Sequence, residues 1–416
     1  MSEYQYYEFR AIDRPLTKEE MAQVRQTSTR AEITPTSFVN VYNWGDYHGD
    51  PLELMARYYD AHVYTANWGT HNLMFGFPRR LLDPAVANPF CVTDAMRLHD
   101  RGDRVVLEFL LSPDDGGGYW DEGDGDWLGR LVALRADLAQ GDLRALYLGW
   151  LLGVQEDFGF GYVAESGEDA GYADEDDEAD YYVDEAGFPE GQIAGSAVEP
   201  AVPPGLRQLT EPLQALVEFL SIDQDLLAVA AERSADFAEA RPSADDLNRW
   251  LATLPVAAKD ALILRLLAGE GAGLRLELLR RYQEATGPKT VAPQPGRKVG
   301  ELLAAAREHA IERRRREAEQ AAREKARKER AAAAARAAYL DGLAGQEERL
   351  WRQAETLIDA KLPQKYDQAV QLLVDLHDFT VRREQSLSGF QARVNDLRTR
   401  HSTKRSFLSK LTQAGL

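Results

Sequence analysis

Two stretches of the chain repeat a pattern that could do chemistry. Phe38-Val39-Asn40-Val41-Tyr42-Asn43-Trp44-Gly45 and Val63-Tyr64-Thr65-Ala66-Asn67-Trp68-Gly69 each run a strand-like segment into Asn-Trp-Gly, and a histidine comes after each, His48 and His71. Glycine after the strand accepts the positive φ of a tight turn. If the turns meet, Trp44 and Trp68 form a paired aromatic platform for a ligand or a protein, with His48, His71, Asp46 and Asp50 beside it. Otherwise the indoles cap a hydrophobic core, which is the common use of large aromatics. His48, His62, His71 and Asp46 are the one group that a general base or a metal could draw on. Packing is the expectation carried forward, and no catalytic residue, metal or cofactor is predicted.

A second candidate is electrostatic. Arg313, Arg314, Arg315 and Arg316, then Arg323, Lys325, Arg327, Lys328 and Arg330, cluster positive charge as phosphate contact requires. Seven glutamates are interleaved from Glu301 to Glu329. A solvated helix therefore competes with nucleic-acid binding, and an acidic partner is a third reading.

The stretch carrying these residues, Arg297 to Leu343, holds no proline or glycine between Glu301 and Asp341 and is built from strong helix formers. At ~1.5 Å per residue, about 40 residues span roughly 60 Å. Glu312 and Arg316, Glu319 and Arg323, and Glu324 and Lys328 stand four apart in the favourable order. Bulky apolar residues stop at Ile311 and resume at Tyr339, so no heptad seam is sustained. The pattern predicts a long, charged, single helix that spaces the domains on either side of it.

Around it we expect an α+β N-terminal domain and then mainly α-helical domains. Residues 1–112 read as a small domain of order β-α-β-α-β-β-β, its helices on one face of a largely antiparallel sheet. Residues 113–153 hold an acidic Gly-rich loop and one or two helices; the loop fails the EF-hand pattern, with Trp127 where its glycine belongs. Residues 154–203 are an acidic segment, with 15 Asp/Glu and no Lys or Arg between Glu156 and Glu199, and are expected to be disordered. Next come a helical bundle (204–284), a linker (285–296), the long helix (297–343) and a helical-hairpin domain (344–416).

Charge is divided unevenly along the chain. From Arg297 onward, 25 Lys/Arg stand against 17 Asp/Glu, while the total formal charge is -19. Such asymmetry points to an interaction tail, or to an internal contact of the acidic segment with the basic helix. The single cysteine, Cys91, excludes an intramolecular disulfide framework and a multi-thiolate zinc site. No apolar run is long enough to span a bilayer and the N-terminus is polar, so we expect no membrane partner and a cytoplasmic location. P-loop, HExxH, GxSxG and dinucleotide-glycine motifs are missing.

The start Tyr4-Gln5-Tyr6-Tyr7-Glu8-Phe9 with Ile12-Asp13-Arg14-Pro15-Leu16-Thr17, the turn Tyr42-Asn43-Trp44-Gly45-Asp46, and the ending Ala414-Gly415-Leu416 resemble a family of multi-domain bacterial proteins. The resemblance implies a full-length, multi-domain bacterial protein and carries no site residue. The expected function is a non-catalytic scaffold or adaptor with a protein partner. The alternatives are a nucleic-acid-associated factor acting through the basic helix, and an enzyme with its site near the Asn-Trp-Gly turns.

Overall fold

Strand formers and turn residues alternate through the first 111 residues, and the backbone obeys them. The computed structural model describes residues 4–112, 126–159, 193–237, 243–267, 271–286, 296–360, 362–383 and 386–416. The acidic Gly-rich loop apart from Asp126, residues 160–192 of the acidic segment and 287–295 of the linker lie outside them.

β1 (Gln5–Arg10) leads into α1 (Lys18–Arg25), where Thr17 and Glu20 form a capping box. An extended stretch then divides around Pro35 into β2 (Glu32–Ile33) and β3 (Ser37–Tyr42). Asp50 caps α2 (Pro51–Arg57) and Pro51 occupies its first turn. β4 (Ala61–Ala66), β5 (His71–Pro78), α3 (Pro84–Ala87), β6 (Met96–Arg101) and β7 (Arg104–Leu111) complete the region. β6 is not legible in the sequence. Met-Arg-Leu-His-Asp-Arg is too polar to read as a strand, and at the sheet edge its strand partner is β7.

The sheet has seven strands in the order β2-β3-β1-β4-β5-β7-β6, and the paired strands are antiparallel. Both of its faces are covered, which corrects the expectation of helices on one face. On one side Phe9, Phe38, Met74 and Val106 pack with Val24 of α1 and Leu54 and Met55 of α2. On the other, Val63, Leu73, Phe75, Leu107 and Phe109 pack with α4 (Trp127–Leu131), α5 (Ala133–Ala139), α6 (Arg144–Asp157), α7 (Glu211–Phe219) and α8 (Gln224–Glu232). The near-continuous apolar runs of β5 and β7 are the signature of such two-sided burial. The helices from Trp127 number three rather than one or two, because Val132 and the Gly141 turn break them.

α9 (Ala244–Thr253), α10 (Val256–Leu267) and α11 (Gly271–Thr286) come next, with Trp250 of α9 edge-on to Tyr282 of α11 at 5.8 Å. α12 (Val299–Asp341) is the long helix, 43 residues and so about 64 Å. Its first turns bury Val299, Leu302, Leu303 and Ala306 in the core beneath the sheet. The chain divides into two compact units, Met1–Glu312 and Arg313–Leu416, at a point within this helix. The second unit packs the end of α12 with α13 (Glu347–Asp359), α14 (Pro363–Arg382), α15 (Leu387–Arg400) and α16 (Arg405–Gln413) around Leu340, Trp351, Leu373, Leu376 and Phe407. No described helix is long and apolar enough to cross a membrane.

The last residues of the expected acidic segment are ordered. Glu199 N–H donates to the Arg297 carbonyl at 2.8 Å, and Val198 bridges Lys298. The Glu199 carboxylate is buried, receiving Arg297 Nε at 3.0 Å and Nη2 at 2.9 Å, together with the Tyr147 hydroxyl. Glu199 and Arg297 thus form a desolvated ion pair just ahead of α12.

Candidate functional site

The Asn-Trp-Gly turns come to the same end of the sheet. β3 and β4 both pair antiparallel with β1, placing Tyr42 and Ala66 on either side of Gln5. Two strand spacings put the turns about 10 Å apart. Gly45 and Gly69 have φ of 75° and 91°, the left-handed region that the sequence anticipates. The start of β1 ties both down. Gln5 Nε2 donates to the Gly45 carbonyl at 3.2 Å and to Asp46 Oδ1 at 2.9 Å. Tyr4 N–H donates to Asn67 Oδ1 at 3.1 Å, and Asn67 N–H donates back to the Tyr4 carbonyl at 3.0 Å.

The side chains around the turns do not converge on one catalytic centre. Trp44 is 75% exposed and Trp68 is half-buried. His48 is exposed and comes directly after Tyr47, which packs against Tyr7 and Phe38 on the α1/α2 face. His71 serves the opposite face: its Nδ1–H donates to the Phe219 carbonyl of α7 at 2.6 Å, and its ring stacks on Phe219 at 4.8 Å. His62 is buried against Phe9, ring centres 3.9 Å apart, and donates from Nδ1 to the Glu8 carbonyl at 2.9 Å. Burial holds its imidazole down at about 4, so the ring is neutral. Asp46 is spent on Gln5, and Asp50 on the α2 N-terminus.

Other polar networks were hidden from sequence reading. Asn72 Nδ2 donates to Glu108 Oε1 at 2.6 Å, and His99 Nε2 lies 2.7 Å from Glu108 Oε2. The carboxyl of Glu108 stays low despite burial because both neighbours stabilise its charge. The one sequence signal was a carboxylate inside the apolar run of β7. His309 likewise has a carboxylate partner, its Nδ1 lying 2.8 Å from the buried Asp225. Arg135 is buried across the sheet end, paired bidentately with Asp13 at 2.7 and 2.9 Å. Among the described residues no three His, Cys, Asp or Glu side chains gather as a group that could hold a metal. Burial pushes the Cys91 thiol up to about 11, so it is a poor nucleophile.

Two surfaces stand out instead. α10 has no buried residue, and Val256, Ile263, Leu264 and Leu267 are 72%, 55%, 66% and 79% exposed. This differs from the expectation that its apolar face closes a bundle. α12 is exposed at every position from Arg314 to Ala335 except Ala326. Its basic residues therefore lie at the surface: Arg314, Arg315, Arg316, Arg323, Lys325, Arg327, Lys328 and Arg330 are exposed and Arg313 half-buried. The anticipated pairs of Arg323 with Glu319 and Lys328 with Glu324 form at 3.7 and 3.0 Å. The chain matches no protein-family model, and no curated protein or solved structure is similar to it.

Proposed function

We propose that the chain is a non-catalytic cytoplasmic adaptor that engages another protein through α10. The observation behind this reading is the outward apolar stripe of that helix. Val256, Ile263, Leu264 and Leu267 recur at i, i+7, i+8 and i+11, one face of an α-helix. Groove-binding helices present their anchors at this spacing. Contiguous apolar surface of this kind is uncommon on a soluble protein unless something covers it.

The test is affinity purification of the tagged chain from its own host, with nuclease, beside an Ile263→Asp/Leu267→Asp variant. Both positions are exposed, so the variant is expected to keep its fold, checked by circular dichroism. A protein partner that survives nuclease and is lost with the variant is the expected result. No partner at low salt, or the same partners for both proteins, would sink the reading.

A further inference from the structure

We infer that one face of α12, defined by Arg316, Arg323, Arg327 and Arg330, binds the phosphate backbone of nucleic acid. The four arginines stand seven, four and three residues apart, spacing that returns to a single helix face. All four are exposed. Along the axis they cover about 21 Å, a length over which each strand of a duplex carries about six phosphates.

The other cations of the helix lie elsewhere on its circumference. Arg314, Lys325 and Lys328 fall on the far side, and Glu317, Glu324 and Glu329 are interleaved away from the arginine stripe. Glu312 and Glu319 edge the stripe, and Glu319 is 3.7 Å from Arg323. An exposed pair of this kind is worth at most about 1 kcal/mol, so a phosphate can displace it.

The residues missing from the helix narrow the occupant as much as its charge does. Between Glu312 and Ala338 the only apolar residue is alanine. A protein partner is held by buried aromatic and large aliphatic anchors, and this surface offers none. Nucleic-acid binding needs no such anchor, because counterion release supplies the free energy. The stripe is all arginine, whose planar fork pairs with phosphate through two hydrogen bonds. The formal charge of -19 opposes attraction at long range. Screening over about 8 Å at physiological ionic strength limits that repulsion to close neighbours.

The experiment is fluorescence anisotropy of a short labelled DNA duplex titrated with the full chain over a series of salt concentrations. Four phosphate contacts predict a slope of log K on log salt of about −3 to −4, or roughly a hundredfold weakening between about 50 and 200 mM. Replacing Arg316, Arg323, Arg327 and Arg330 together by glutamine keeps helix propensity. The variant is expected to lose at least tenfold in affinity, and its salt slope to collapse, with the far-UV circular dichroism unchanged. No binding at the lowest salt, or equal binding by wild type and variant, overturns the inference. So does polyglutamate of equal charge competing as well as unlabelled duplex, since the stripe would then be a general acidic-peptide site.

Discussion

His62 shows how a residue that looks reactive in sequence becomes structural. Its ring is buried between β1 and the α1/α2 face, with its one described donor bond to the Glu8 carbonyl. In the unfolded chain it takes a proton near 6.5, and in the fold only near 4. Acid therefore favours the unfolded chain: this contribution is intact above 6.5 and is lost as pH falls toward 4, by about 3 kcal/mol. Urea unfolding at neutral and mildly acidic pH checks this. His62→Gln keeps a donor but no titration, and its stability is expected to fall less steeply across that window. Identical slopes for the two proteins would refute the assignment.

The buried pair of Glu199 and Arg297 makes an opposite case at the same scale. With side-chain exposures of 1% and 7%, the charges are stabilised among the described residues by each other, Tyr147 and the Val229 carbonyl. Glu199→Gln strands the guanidinium and is expected to cost about 3–5 kcal/mol, read as a drop in urea midpoint. Glu199→Leu with Arg297→Met is expected to recover most of it, because an apolar pair removes the desolvation cost. A double variant as weak as the single one would show that backbone pairing of this segment, rather than charge, was at stake.

At the scale of elements, α6 approaches the sheet closely because of Gly149 and Gly153. A Cβ at Gly149 would lie 2.5 Å from Met96 Sδ and 2.7 Å from the Phe109 ring, and one at Gly153 2.2 Å from Thr93 Oγ1. Gly149→Ala would normally favour a helix, yet here overpacking is expected to cost about 1–3 kcal/mol and lower the melting temperature. A more stable variant would mean the helix can retreat from the sheet. α10 and α12 show the converse, helices whose sequence character is not absorbed by packing: one leaves apolar residues outward, the other a charged circumference.

For the whole molecule, the two units have separate cores. The buried clusters around the sheet share no residue with the cluster of Leu340 to Leu411. Leu373 is fully buried in the latter. Leu373→Ala is expected to cost about 2–5 kcal/mol and to lower one calorimetric transition, that of Arg313–Leu416, while the other stays in place. A single transition that moves as a whole would show that the units unfold cooperatively.

The long helix and the helical character of the chain beyond residue 344 were legible in the sequence because each rests on local signals. Propensity, side-chain caps and proline sterics act over a few residues. Both Asn-Trp-Gly turns were readable for the same reason, as glycines needing positive φ. Their meeting at one sheet end was not, since strand order is fixed by pairing between distant segments. Nor could sequence show that helices cover both faces, that Glu199 reaches Arg297, that polar β6 joins the edge, or that the leucines of α10 face solvent. An apolar stripe at helical spacing looks the same whether a neighbour covers it or not. Only the tertiary contacts distinguish a core face from a surface left open, and those contacts decide which residues of this chain remain available to a partner.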